Sequence, residues 1–439
     1  MNKSFLLLLK LEPKKTNCPY CPSNGNLFIL LFLMQIKISC IFVVQFLGEK
    51  MKVLVLNSGS SSIKFKIFDG HEEIFSGMAD SISLDGSKLV YSKNGSTKEL
   101  KTKMQDHREA LNRIIALILD EGIISSLSEI DAVGHRVVHG GESFNSPVLI
   151  DDHVLSVIKS LYKIAPLHNP ANVMGIEAIS EILPSVKQVA VFDTGFHSTI
   201  PDYSFLYGLP ITLYHKNKIR RYGFHGTSHE YVCTKAAEII GRPLSELNLI
   251  SCHLGNGSSI TAVKAGKSVD TSMGFTPVEG LIMGTRCGDI DPSIVTYLQR
   301  SGMGTDEIDN LLNKKSGLLG ISQISSDMRI LHKESDNGNE KAKLAMKMFA
   351  YRIKKYIGSY LAVLGGVDAI IFTGGIGENA YYVREMALED LSALNISLDL
   401  EKNKNNNLLI SADNSVKVFV IPTNEELFIA EKTIRIVGK

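Results

Sequence analysis

Two short loops carry the residue types that bind phosphate. Asn57-Ser58-Gly59-Ser60-Ser61-Ser62 and Gly255-Asn256-Gly257-Ser258-Ser259 are built from small residues. A phosphate needs several backbone N–H donors converging on its oxygens. Small residues let the backbone come close, and serine adds hydroxyl donors. Neither loop fits the two common phosphate motifs. Each is followed by a strand pattern rather than a helix. Gly266-Lys267-Ser268 has a P-loop ending, yet Thr261 stands where that motif needs glycine. A dinucleotide fingerprint starting at Gly255-Asn256-Gly257 would need glycine where Ile260 stands. Two such loops facing each other would clamp a polyphosphate from both sides; two ordinary hairpin turns are the plain alternative.

Other residues carry weaker signals. His135 and His139, and His225 and His229, are spaced four apart as helical zinc ligands would be. Neither pair has the glutamate of H-E-x-x-H, and glycines interrupt both neighbourhoods. Asp289 and Asp291 are candidate paired carboxylates, but Asp291-Pro292 reads equally as a helix start before Ser293–Leu298. Arg136, taken singly, reads as well as a structural arginine. Cys18-Pro-Tyr-Cys21 has redox spacing but lacks the preceding strand and following helix that lower a thiol pKa. Cys233, Cys252 and Cys287 are scattered and read as packed small residues.

These residues need a frame to position them. The apolar run Val53–Leu56 precedes the first loop, and strict alternation over Ile63–Phe68 follows it, so strand, turn and strand are expected. Leu249–Leu254 and Ile260–Val263 flank the second loop in the same way. Ser61-Ser62-Ile63 and Ser258-Ser259-Ile260 lie 197 residues apart, which suggests two homologous halves. Residues 341–364 place Phe349, Ile353, Tyr356, Ile357, Tyr360, Leu361 and Leu364 at helical spacing, and Gly365-Gly366 ends the pattern. Asp368–Thr373 reads as a buried strand, Gly374-Gly375-Ile376-Gly377 as a glycine-rich loop, and Glu401–Asn407 as a surface loop. Helices alternating with buried strands imply an α/β architecture.

Composition bounds the function. The 439 residues suffice for two or three domains, and 44% apolar with 21% charged residues is globular. A net charge of +1 favours neither nucleic acid nor anionic lipid, and cysteine usage gives no sign of an oxidising compartment. Residues 1–50 differ from the rest. They hold six lysines, two glutamates and the apolar runs Phe5–Leu9 and Leu27–Leu47. An extension that is non-native or disordered is expected there, with a membrane or targeting segment as the alternative.

Several motifs in order resemble the acetate kinase family. They are Met51–Gly70, Val133–Phe144, Pro166-Leu167-His168-Asn169-Pro170, Phe192–His197, Tyr222–His229, Asp270–Pro292, Gly374–Asn379 and Pro422-Thr423-Asn424-Glu425-Glu426. The resemblance covers residues 51–439. It implies two ribonuclease-H-like (actin-like ATPase) domains around a central cleft, one from 51–195 plus 427–439 and one from 196–426. It also implies Mg²⁺-dependent transfer of phosphoryl from ATP to acetate, with Mn²⁺ as a substitute, in a cytoplasmic homodimer. A propionate or butyrate kinase is the near alternative, and an ATP-driven binding module of the Hsp70 or actin type is the distant one.

The same resemblance assigns roles. Asn57 and Glu425 match magnesium-site positions, and Lys64 an ATP-site position. Arg136 matches the residue for the substrate carboxylate, Asp193 the catalytic acidic residue, and His225 and Arg286 the stabilisers of the transition state, with His168 a further active-site histidine. His253, Leu254, Gly255, Asn256 and Gly257, then Asp327, Met328 and Arg329, then Gly375, Ile376, Gly377, Glu378 and Asn379 match nucleotide-binding segments. Val138, Leu167, Phe224 and Pro277 match a pocket for the substrate methyl. Carboxylate phosphorylation brings anions together, so arginines and a metal ion suit it. A carboxylate oxygen is already a nucleophile, so an orienting or metal-binding Asp193 is expected rather than a base.

Overall fold

The computed structural model describes residues 51–93, 95–166 and 168–438. Residues 1–50, with the Cys18/Cys21 pair and both apolar runs, and Leu167 lie outside the described residues.

The first sheet has eight strands: β1 (Lys52–Ser58), β2 (Ser62–Asp69), β3 (Glu72–Asp80), β4 (Lys88–Lys93), β5 (Ser96–Lys101), β6 (Ala132–Val137), β7 (Val148–Leu149) and β8 (Lys187–Phe192). Their order is β5-β4-β3-β2-β1-β6-β8-β7. β1 runs antiparallel to β2 and parallel to β6, and β6 runs parallel to β8. A central strand covered on both faces must be apolar throughout, and Val53, Leu54, Val55 and Leu56 are all buried. On one face Leu54, Leu56 and Phe65 pack against Leu111 and Ile114 of α1 (His107–Asp120) and Ile179 of α2 (Asn169–Ile182).

The second sheet contains β9 (Asn248–Leu254), β10 (Ser258–Lys264), β11 (Lys267–Thr271), β12 (Ala369–Thr373) and β13 (Lys417–Val420), in the order β11-β10-β9-β12-β13. One face is covered by α3 (Gly226–Ile240) through Val232, Cys233 and Ala236. The other is covered largely by α4 (Met328–Asp336) and the long α5 (Glu340–Leu364), whose Phe349, Ile353 and Ile357 meet Cys252 and Ile260. Asn339 caps the start of α5, and Gly365 with φ +70° ends it.

The two sheets repeat one plan. β3-β2-β1-β6-β8 and β11-β10-β9-β12-β13 both place a three-strand antiparallel meander beside two parallel strands, and in each the first strand is central. The serine and glycine loops occupy the same turn in each copy. This is the duplicated ribonuclease-H-like α/β arrangement implied by the sequence.

Two elements differ from the sequence reading. Gly374–Asn379 is a short helix, α6, directly after β12, followed by α7 (Tyr381–Leu388). Glycine composition concealed it, because a helix one turn long has too little periodicity to read. In the polar stretch read as a loop, Leu400–Lys404 is helical and Asn403 is fully buried. The last helix, α8 (Glu425–Val437), returns to the first sheet and packs Ile429 and Ala430 on Val53, Ala132 and Val189. Gly134 permits this approach: a β-carbon there would lie 2.5 Å from Thr433 Oγ1. No helix among the described residues is long and apolar enough to cross a membrane.

Candidate active site

Several candidate residues lie at the carboxyl ends of strands, where open α/β sheets bind ligands. Asn57 is near the end of β1, Arg136 near the end of β6, and Asp193 follows β8. His253 and Leu254 end β9, Gly374 follows β12, and Thr423 lies just beyond β13.

Arg136 organises the first group. Its guanidinium donates to both oxygens of Asp193, through Nε at 3.0 Å and through Nη2, and its Nη1 donates to Asn57 Oδ1 at 3.2 Å. Its Nε is 3.9 Å from Glu425 Oε2. Thr227 Oγ1 lies within hydrogen-bond distance of Asp193 Oδ1 (3.2 Å) and Glu425 Oε2 (2.8 Å), so this hydroxyl links the two carboxylates. Burial works against the Arg136 charge, but Asp193 and Glu425 outweigh it and hold the guanidinium above its ordinary pKa. Burial raises the Asp193 carboxyl, and Arg136 opposes that rise. Asp193 is therefore committed to Arg136. The start of α3 docks on the same residue: the Gly226 N–H donates to Asp193 O at 2.9 Å, and a β-carbon on Gly226 would lie 2.2 Å from that oxygen.

His225 stands just ahead of α3 with φ +58°, a strained conformation for a residue with a side chain. Its Nδ1 is 2.9 Å from Ser259 Oγ, and its ring stacks on His253 at 4.3 Å. Its Nε2 lies against the backbone of Gly257: a β-carbon there would lie 3.3 Å from Nε2 and 3.6 Å from Arg286 Nη1. Arg286 Nη1 donates to Pro277 O at 3.0 Å. Burial lowers its guanidinium below the ordinary value, yet it stays cationic at neutral pH. Burial, with the charges of His253 and His229 adding to it, depresses His225 well below the usual imidazole range. His168, ahead of α2, is also depressed by burial and by the nearby Arg136 and Arg286.

Beside these cations lies an apolar cluster of Val138, Phe224, Met273 and Met283. Val138 follows Arg136 by two residues, Phe224 precedes His225, and Met283 Sδ is 3.5 Å from Arg286 Nη1. Two of the four pocket candidates, Val138 and Phe224, are in this cluster. Pro277 takes part through its carbonyl, and Leu167 lies outside the described residues.

The remaining candidates divide. His253 Nδ1 pairs with Ser228 Oγ at 2.8 Å, and Ser228 with Thr423 Oγ1 at 2.9 Å. Leu254 is buried. Gly255 closes the β9–β10 turn on Gly257 O, and Asn256 O accepts from the Gly284 N–H. Glu378 Oε1 accepts from Gly374 N at 2.9 Å and Thr423 N at 3.1 Å, tying α6 to the end of β13. Gly375 O accepts from Asn379, Gly377 O from Arg384, and Ile376 packs on the core. Asp327 caps α4 and pairs with Arg329, both at the surface, while Met328 is buried. Lys64, opposite Asn57 on β2, is exposed and lines a groove of about 270 Å³ with Glu426.

Asn57 and Glu425 offer oxygen donors, the type that Mg²⁺ takes. Among the described residues no group of three or more His, Cys, Asp or Glu is placed to cage a metal. That donor set suits a cation held by one or two protein oxygens and completed by phosphate oxygens. His135 and His139 are turned elsewhere: His135 Nε2 pairs with Gln188 at 2.7 Å, and the His139 ring packs edge-on against Tyr222. Asp289 accepts from Gly280 N and Tyr356, and Asp291 caps Ser293 N, so both serve the scaffold.

Sequence reasoning missed Thr227, Ser228 and Ser259, although all three lie in stretches it singled out. It also missed Asn172 on α2, which joins Ser58 O (2.8 Å) to Val138 N (3.0 Å) and so fixes the ends of β1 and β6.

Comparison with known proteins gives the family. Residues 52–431 match the model of the acetokinase family. Acetate kinase from Dictyoglomus thermophilum is 54% identical over 398 residues, covering 89% of this chain and 100% of that protein. The crystal structure of Porphyromonas gingivalis acetate kinase superposes with a TM-score of 0.84 at 46% identity, covering 88% of this chain and 100% of that one. A propionate kinase from Francisella tularensis gives 0.84 at 43% identity, covering 88% and 99%. With a family match across most of its length and relatives more than half identical to it, the chain belongs to the acetokinase family.

Proposed function

We propose that the protein is an acetate kinase: it transfers the γ-phosphoryl group of ATP to acetate, reversibly, giving acetyl phosphate and ADP. The observation that carries this reading is the convergence of His225 Nε2 and Arg286 Nη1 beside Gly257, next to a small apolar cluster. In the forward direction an acetate oxygen forms a bond to the γ-phosphorus while the bond to the bridging β,γ-oxygen breaks, and that oxygen keeps the electron pair. Transfer is direct and in line. Charge spreads over the equatorial oxygens, where Arg286 and the His225 Nε2–H stabilise it.

Arg136 binds the acetate carboxylate, and Val138, Leu167, Phe224 and Pro277, joined by Met273 and Met283, receive its methyl. Asp193 orients Arg136 rather than taking a proton. His168 lines the same site. Lys64, the 253–257 turn, residues 327–329 and α6 serve the nucleotide. Asn57 and Glu425 would hold Mg²⁺, which when bound neutralises charge on the nucleotide phosphates. The reading extends to two domains split near residue 195, with α8 returning to the first, and to a cytoplasmic homodimer.

A propionate kinase is the second reading, favoured by one observation: the pocket has two flexible methionines, which repack readily around an extra methylene. A hydrophobic pocket separates acids differing by one methylene by only about 1–3 kcal/mol. The test is kcat/KM for acetate, propionate and butyrate with Mg-ATP, with acyl phosphate followed by ³¹P NMR. Acetate is expected to lead. Preference for butyrate, or ATP hydrolysis independent of any carboxylate, would overturn the assignment.

A further inference from the structure

Behind His225 a line of hydroxyl and imidazole groups runs into the core. Ser259 Oγ lies 2.9 Å from His225 Nδ1 and 2.7 Å from His229 Nε2, and Ser251 Oγ lies 2.9 Å from His229 Nδ1. Ser251, Ser259 and His229 are all fully buried. A neutral imidazole has one donor and one acceptor, and a hydroxyl has one proton. The line therefore has two self-consistent directions. In the outward one, Ser251 donates to His229 Nδ1, His229 Nε2–H donates to Ser259, and Ser259 donates to His225 Nδ1. The His225 proton is then on Nε2, on the side of the ring toward Gly257 and Arg286. In the inward one, Nε2 presents a bare lone pair, which an anion bound beside it repels. The groups facing His225 are His229 from α3, His253 from β9, and Arg136 and Arg286. No carboxylate among the described residues hydrogen-bonds the ring of His225, His229 or His253, so an imidazolium there has no bonded counter-ion.

We propose that Ser259 and His229, with Ser251, are positioning residues that fix the tautomer of His225, so that an uncharged ring points an Nε2–H at the migrating phosphoryl group. This rests on the phosphoryl-transfer reading above, and its first test does not need activity. In full-length protein with ¹⁵N-labelled histidine, the His225 ring is expected to be the neutral Nε2–H tautomer from about pH 6 to about pH 9. A wild-type Nδ1–H tautomer or imidazolium would overturn the proposal, whether or not Ser259 variants fold. Ser259→Ala is expected to mix the tautomers. It should lower kcat by between roughly 10-fold and the 10²–10³ that losing such a donor costs. KM for ATP and acetate should stay within about twofold, and Ser259→Thr, which keeps the hydroxyl, should restore both readouts. A fall in kcat without a change of tautomer, or a change of tautomer without a fall in kcat, would overturn the positioning role. Wild-type protein that makes no acetyl phosphate while its His225 spectrum is as expected would instead remove the functional reading and leave the hydrogen-bond line standing.

Discussion

Arg136 has two tasks that a single substitution exposes together. On the proposed reading it receives the acetate carboxylate, and in the free protein it neutralises buried Asp193. Arg136→Ala should raise KM for acetate. It should also lower stability by about 3–5 kcal/mol, because it strands a buried carboxylate. Adding Asp193→Ala should recover part of the melting temperature and none of the activity. Near-normal acetate KM with an unchanged melting temperature would contradict both tasks. Arg286→Ala, with no buried carboxylate to strand, should act on kcat alone, by roughly 10²–10³. Val138→Ala should enlarge the pocket and move kcat/KM toward propionate by up to about 1–3 kcal/mol per methylene; an unchanged ratio of acetate to propionate would remove Val138 from it. Arg136, Asp193 and His225 were legible in the sequence because each lies in a distinctive run of residues. Thr227 and Ser259 were not. A hydroxyl acquires its role from what tertiary packing brings within 3 Å, and serine and threonine are common everywhere.

At the scale of elements, strand ends and the turns beyond them set the site. The β9–β10 turn brings the backbone of Gly257 close to His225 and Arg286. Gly257→Ala should crowd both side chains and lower kcat/KM by about 10²-fold with little change in melting temperature. Retained activity would place the transfer elsewhere. Both strand–turn–strand units and α5 could be read from alternation and helical periodicity. The polar stretch at 401–407 could not, because Asn403 is buried for a partner far along the chain. Arg384, fully buried, donates to Asn403 Oδ1 and O and to the carbonyls of Gly377 and Glu378 at the end of α6. Burial without an ionised partner lowers it to about 10. Arg384→Met should unseat α6, weaken ATP binding and cost about 1–3 kcal/mol for each polar group left unsatisfied. Unchanged nucleotide affinity would mean that α6 needs no such anchor.

Across the whole molecule, two copies of one sheet plan present their strand ends to the candidate site. Their duplication was visible in the sequence only as the repeated serine turn, because helices and insertions diverge while a tight turn cannot. The buried histidines give the molecule a pH signature. Burial lowers His135, His139, His197 and His253 to about 4. As pH falls from about 6.5 to about 4, the unfolded chain takes up protons that the folded one refuses, so stability is full above this window and falls within it. Urea unfolding at about pH 7.5 and about pH 5 should show a clear loss at the lower value; equal midpoints would contradict the burial of these rings. On the proposed reading His225, Arg286 and Arg136 surround one migrating phosphoryl group and one small acid. The most direct test of that reading is a structure with ADP, acetate and a planar phosphoryl mimic. The mimic is expected against His225 Nε2 and Arg286 near Gly257, with the acetate carboxylate at Arg136 and its methyl toward Val138 and Phe224. A mimic bound away from His225 and Arg286, or acetate bound with its methyl outside the apolar cluster, would contradict it.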